Sequence, residues 1–289
     1  MCIRDRQSTA CANAYVQPLM SRYLTKLDEA LQSMGFMCPF LLMTSGGGLT
    51  TLDTSIKFPV RLVESGPAGG AILATEIAKE CGIDNVLSFD MGGTTAKICL
   101  IDDYTPQMTR TFEVARVYRN LKGSGLPLRI PAIEMVEIGA GGGSIAKVDD
   151  MKRISVGPES SGASPGPACY GQGGLDATVT DADVILGRID PKDFAGGAVK
   201  LAPEKADLVL QKAVGDQLSL DSSLSAFGVS EIVDENMANA ARVHAIEWGK
   251  DISARSMIAF GGAAPLHALR LAEKLDINKI IIPACLLYT

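Results

Sequence analysis

The chain has 289 residues, 47% hydrophobic and 21% charged, with 30 glycines; this is ordinary globular usage and excludes a disordered, collagen-like or coiled-coil protein. Its 27 basic and 33 acidic side chains leave a formal charge of −6 without long like-charge runs, so no basic stripe is available to a nucleic-acid backbone. No apolar run approaches the roughly 18 residues of a membrane span, and no secretory signal pattern opens the chain, so the sequence reads as a soluble, cytoplasmic protein.

In chain order, Met20, Tyr23, Leu24, Leu27, Leu31 and Met34 trace one apolar helical stripe, with Gly35 as its C-terminal cap. Residues 39–43 predict a buried strand and Thr44–Gly48 a glycine turn. A second helix is predicted to run towards Gly82 with Ser65 as N-cap and Pro67 in its first turn. The β-type runs 85–89 and 96–101 are separated by too few residues for a parallel crossover and predict an antiparallel hairpin. Runs 133–138 and 144–148, flanking Gly139–Gly143, predict a second glycine-tipped hairpin. Residues 157–174 hold six glycines and three prolines and predict a long irregular loop. The chain then predicts a helix through Val229, Val233, Met237 and Ala241, a strand at 256–260, a helix at 265–275 and a strand at 277–283.

The seven cysteines (Cys2, Cys11, Cys38, Cys81, Cys99, Cys169, Cys285) are scattered without a C-x-x-C pair, which favours reduced, packed thiols over zinc or redox chemistry. Two histidines, His244 and His267, give little material for a metal site or a catalytic triad. Any hydrolysis must therefore run on carboxylates, backbone amides or a cofactor.

The candidate chemistry sits in glycine turns. In Phe89-Asp90-Met91-Gly92-Gly93-Thr94-Thr95 an aspartate closes a strand, and glycines let backbone N–H groups approach an anion. Asp90 is a candidate Mg²⁺ ligand, since that cation prefers carboxylate and water; a plain hairpin turn with an exposed aspartate is the alternative. Gly261-Gly262-Ala263 follows a strand and precedes a helix, a geometry suited to adenosine or phosphate or simply to a strand–helix turn. Glu137 flanks the turn holding Gly141 and Gly142 and is a candidate general base or metal ligand. Asp181 reads mainly as a helix N-cap, His244 as a packed core imidazole, His267 as a residue near the nucleotide, and Cys169 as a quiet thiol rather than a nucleophile. No P-loop or dinucleotide-binding signature is present.

These blocks resemble one family. MTSGGGLTT at 43–51, VESGPAGG at 63–70, FDMGGTTAK at 89–97, EIGAGGGSIA at 137–146, SPGPACYGQGG with TVTDADVILGRIDP between 164 and 191, and FGGAAPLHA at 260–268 are similar, in order, to the A-type subunits of the hydantoinase/oxoprolinase family. The resemblance implies a partial actin-like ATPase (ribonuclease H-like) α/β fold with glycine-tipped hairpins. It implies ATP-dependent opening of a cyclic amide of the 5-oxoproline or hydantoin type by phosphoryl activation, a step of glutathione metabolism where 5-oxoproline is the substrate. An acetone or acetophenone carboxylase-type subunit, or a non-catalytic nucleotide-binding module, is the alternative.

By this resemblance Asp90 is catalytic and holds Mg²⁺ or another divalent metal, and Gly92, Gly93, Thr94, Thr95, Gly261, Gly262 and Ala263 hold ATP; the glycine density of their own turn adds Glu137 as a catalytic carboxylate and Gly141 and Gly142 as nucleotide contacts. A separate B-type subunit is the implied partner. Lys97 departs from the family's commoner aspartate, and the family's first phosphate loop has no counterpart in this stretch. The reading is thus of a fragment without efficient turnover of its own: 1–6 a non-native end, 7–84 a helix–strand–helix part, 85–283 the nucleotide-binding part with the Gly/Pro loop 157–174, and 284–289 a second non-native end.

Overall fold

The computed structural model describes residues 3–114 and 123–284; residues 1–2 and 285–289 of the predicted non-native ends, with Cys2 and Cys285, lie outside the described residues. The chain divides into two compact units, Met1–Asp84 with Ile101–Glu134, and Asn85–Leu100 with Met135–Thr289.

In the first unit one helix runs from Ile3 to Ser33, through Pro18, and stops before Gly35, whose φ of 89° is the left-handed conformation glycine adopts without strain. Of its predicted apolar stripe only Leu24 is buried, while Tyr23 and Met34 are exposed. The strand predicted as buried is the three-residue Leu41–Met43, paired with Leu49–Thr51 across the Thr44–Gly48 turn. Because this ribbon has only two strands, Leu41 stays exposed. The second helix, Ser65–Glu80, buries Ala68, Ala71, Ala74 and Ala78. Its N-cap is Glu64 in a left-handed conformation (φ 57°) with no side-chain cap, so Ser65 is the first helical residue and not the cap.

The second unit carries the candidate site. Its elements are β1 (Asn85–Met91), β2 (Ala96–Asp102), β3 (Val136–Ile138), β4 (Ser144–Val148), β5 (Ile154–Ser160), α1 (Val179–Ile185), α2 (Pro203–Leu210), α3 (Ser222–Glu247), β6 (Ser256–Phe260), α4 (Ala264–Lys274) and β7 (Ile280–Ile281). The sheet order is β3-β2-β1-β6-β7. Strands β1 and β2 are hydrogen-bonded neighbours, as the first predicted hairpin requires. Strands β1 and β6 run parallel, with Phe260 opposite Asp90, and β6 reaches the parallel β7 through α4.

The second predicted hairpin does not form. Val136–Ile138 adds to the sheet edge beside β2, whereas Ser144–Val148 pairs with β5 in a separate ribbon. The intervening glycines instead fold down onto the Gly92–Thr95 turn, where their lack of side chains is needed. The predicted Gly/Pro loop is strand up to Ser160 and includes a short 3₁₀ turn at Ala168–Tyr170.

The core joins Leu87, Phe89, Met91, Ile98 and Leu100 to Val229, Val233, Met237 and Ala241 of α3 and to Ala268 and Leu271 of α4. Each fully buried large side chain contributes about 1.5–3 kcal/mol. This burial fixes β1 and β6, and with them the turns at their carboxyl ends.

Candidate functional site

Asp90 and Phe260 end two neighbouring parallel strands, so the chain turns that leave them lie side by side. Crevices beyond the carboxyl ends of parallel strands are where α/β sheets bind ligands. Contact between the turns is close. The Ala263 N–H donates to Met91 O (3.0 Å), and a Cβ on Gly261 would lie 2.6 Å from Asp90 Oδ1 and 2.7 Å from Met91 O. Gly261 also holds φ at 90°. Only glycine meets both demands.

Within the first turn the Gly92 N–H closes on Thr95 O (3.1 Å). Gly93 and Thr94 are exposed, and among the described residues no acceptor takes their N–H groups. Space beside Gly92, Gly93 and Gly262 is open. The Asp90 carboxylate is half-buried and, among the described residues, receives no hydrogen bond. Burial raises its pKa above the ordinary carboxylate value, with the Lys97 charge opposing. A half-buried carboxylate beside two amides with no acceptor among the described residues marks the turn as a candidate site.

The turn is held from below. Gly142 and Gly143 donate to Gly92 O (3.0 Å) and Gly93 O (2.6 Å), and Gly141 donates to Ser144 Oγ (2.8 Å). The Thr180 N–H and hydroxyl both donate to Gly142 O, at 2.7 and 2.8 Å. Gly141 and Gly142 are buried with their amides engaged, and they buttress the turn that faces solvent. Thr180 was not among the predicted residues, although its place in the Thr-Asp-Ala-Asp segment marks the clamp.

On the neighbouring strands Lys97 stands opposite Glu137 in the β2–β3 register. Its ammonium lies 3.2 Å from Glu137 Oε1 and donates to Thr95 Oγ1 at 3.2 Å. Glu137 thus enters the same polar group as Thr95, with its carboxylate half exposed.

His267 faces away from the turns. It is fully buried, with Nδ1 2.8 Å from Asp234 Oδ1 and Nε2 3.2 Å from Asp183 Oδ2. Burial alone would lower its pKa; hydrogen bonds to Asp183 and Asp234, with their charges, outweigh it and hold the imidazolium at about 9. The predicted role near the nucleotide becomes a lock among α1, α3 and α4. Asp234 escaped the sequence reading, yet it sits at core spacing with Ser230, Met237 and Ala241, all buried.

Asp181 is buried and is not the N-cap. Thr178 caps α1, and Asp181 completes the capping box while also accepting from the Cys169 N–H (2.8 Å). Burial first, then Asp181, push the Cys169 thiol far up, which leaves it quiet. His244 is buried on α3, as predicted.

Together these features place two paired glycine turns at the carboxyl ends of parallel strands in a mixed α/β unit. The family model described as Hydantoinase/oxoprolinase matches residues 6–287, and the chain belongs to that family. Caprolactamase subunit alpha of Pseudomonas jessenii is 35% identical over 96% of this chain and 39% of its own length. The crystal structure of the ATP-dependent caprolactamase from the same organism matches with a TM-score of 0.80 and 33% identity over 98% of this chain and 40% of that one. A nucleotide-free acetone carboxylase structure, described for ATP-dependent acetone carboxylation, matches with a TM-score of 0.87 and 26% identity over all of this chain and 39% of that one. The fold is the actin-like ATPase fold shared with these neighbours. The chain spans about two fifths of the length of the curated relatives first matched. No helix of the described residues is long and apolar enough to cross a membrane.

Proposed function

We propose that this chain is the nucleotide-handling part of a cytoplasmic, ATP-dependent hydrolase subunit that opens a cyclic amide of the 5-oxoproline or hydantoin type together with a B-type subunit. The observation that carries the reading is the pairing of two glycine turns around Asp90, with the Gly93 and Thr94 amides meeting no acceptor among the described residues. The donor set fits a polyphosphate: two free amides, the Thr94 and Thr95 hydroxyls, an ammonium and a glycine cradle that a Cβ would fill.

Bound ATP would supply a phosphoryl group to the amide oxygen, which opens the carbonyl carbon to water; the ring C–N bond then breaks with its nitrogen taking a proton, and a second water releases the phosphate. The chain's residues do the positioning. Gly93 and Thr94 hold phosphate oxygens, Gly261, Gly262 and Ala263 border the adenosine side, and Glu137 orients or deprotonates water. Among the described residues no group of three or more His, Cys, Asp or Glu gathers to hold a metal. Asp90 is the carboxylate that would hold a divalent ion brought in with the phosphates, and that ion would neutralise phosphate charge. Ketone carboxylation is the second reading, supported by the acetone carboxylase likeness.

In the full-length subunit with its partner, phosphate release is expected to rise when 5-oxoproline, a hydantoin or acetone is added, and the responding compound separates the readings. Asp90→Asn is expected to lower that stimulated release about 100-fold or more while ATP still binds. Stimulated release that survives the substitution contradicts the role of Asp90; ATP binding without stimulation by any of the three favours a non-catalytic module.

A further inference from the structure

We propose that Lys97 is a phosphate-recognition residue of this site, a fixed cation that lets the Gly92–Thr95 turn hold a polyphosphate with reduced dependence on a divalent metal. The inference rests on the nucleotide reading above. Its basis is the placement of one ammonium among three groups of the turn. Lys97 lies two residues beyond Thr95, donates to the Thr95 hydroxyl at 3.2 Å and stands 3.2 Å from Glu137 Oε1, and its charge acts on Asp90. Its side chain is only 15% exposed, so the stem is packed and the charge is held in place.

The electrostatic count explains why that charge matters. Asp90 and Glu137 bring two carboxylates to a turn whose amides attract anions, and Lys97 pairs with Glu137 while its charge is felt at Asp90. Without it a phosphate would approach two negative groups, in a half-buried setting where charges are weakly screened. As a compact point charge, an ammonium also suits a phosphate that must settle against backbone amides. A purely structural cross-strand pair would behave otherwise: with Glu137 53% exposed, the pair contributes little to stability.

The test is calorimetric titration of the full chain and its Lys97→Met and Lys97→Arg variants with ATP, once with Mg²⁺ and once with EDTA. Thermal unfolding should be nearly unchanged in both variants. Lys97→Met is expected to weaken ATP binding about tenfold or more in EDTA and less with Mg²⁺, while Lys97→Arg stays within about threefold of wild type. Equal affinity of wild type and Lys97→Met in both buffers overturns the proposal and leaves the nucleotide site standing. An equal loss in both buffers overturns the metal-sparing role. Absence of ATP binding by the wild type overturns the nucleotide site and the role of Lys97 together.

Discussion

Replacing His267 by glutamine is expected to destabilise the unit by about 3–5 kcal/mol at pH 7, the range for removing one partner of a buried charge cluster. The imidazolium donates to two carboxylates at once, one on α1 and one on α3, and none of the three side chains reaches solvent. Asp183 keeps Arg188, which donates at 2.9 Å, but Asp234 is left with only a 3.4 Å hydrogen bond from Ser230. The sign of the pH dependence follows from the raised pKa. Folding favours the protonated ring, so its contribution is complete below the unfolded value near 6.5 and is lost as pH rises through about 9. Urea unfolding of the wild type should therefore show falling stability from pH 7 to 9.5, and His267→Gln should remove that slope. Parallel pH profiles for the two proteins would show that His267 is neutral and the cluster is held by Arg188 alone.

Gly141→Ala is the second large effect, and it strikes binding before stability. An added Cβ would lie 2.6 Å from both the backbone N and the carbonyl C of Thr94 and 2.7 Å from the carbonyl C of Gly93. No flexible side chain is there to yield, so backbone must move, and overpacking of this kind costs about 1–3 kcal/mol. The nearest backbone to move is the turn with the free amides, because its other side faces solvent. ATP affinity should fall about 10- to 100-fold, with a smaller change in melting temperature. Full affinity in Gly141→Ala would mean that the turn is not the phosphate contact.

Much of this was legible in the sequence. Strand 256–260 and the hairpin at 85–101 are readable because short, mainly apolar runs bounded by turn residues mark buried strands, and Asp90 with the two glycine turns follows from residue type and local spacing. What failed was long-range. Gly139–Gly143 looked like a hairpin tip because glycine density does not say which partner a strand will take, and the adjacent strands pair elsewhere. The Asp183–His267–Asp234 lock joins residues up to 84 positions apart, so no local pattern exposes it. Ser65 and Asp181 were assigned as caps from composition, yet caps depend on the backbone angle one or more residues earlier, at Glu64 and Thr178. The family resemblance supplied the order of the glycine blocks; it did not reveal that Gly141 and Gly142 support the turn from beneath.

Backbone amide NMR of the chain titrated with a non-hydrolysable ATP analogue reads the main chain between Met91 and Ala96 itself. The largest shifts are expected at Gly93 and Thr94, accompanied by Gly261 and Gly262, with slowed hydrogen exchange at the first pair. Saturable binding that leaves Gly93 and Thr94 unshifted would contradict phosphate binding by this turn.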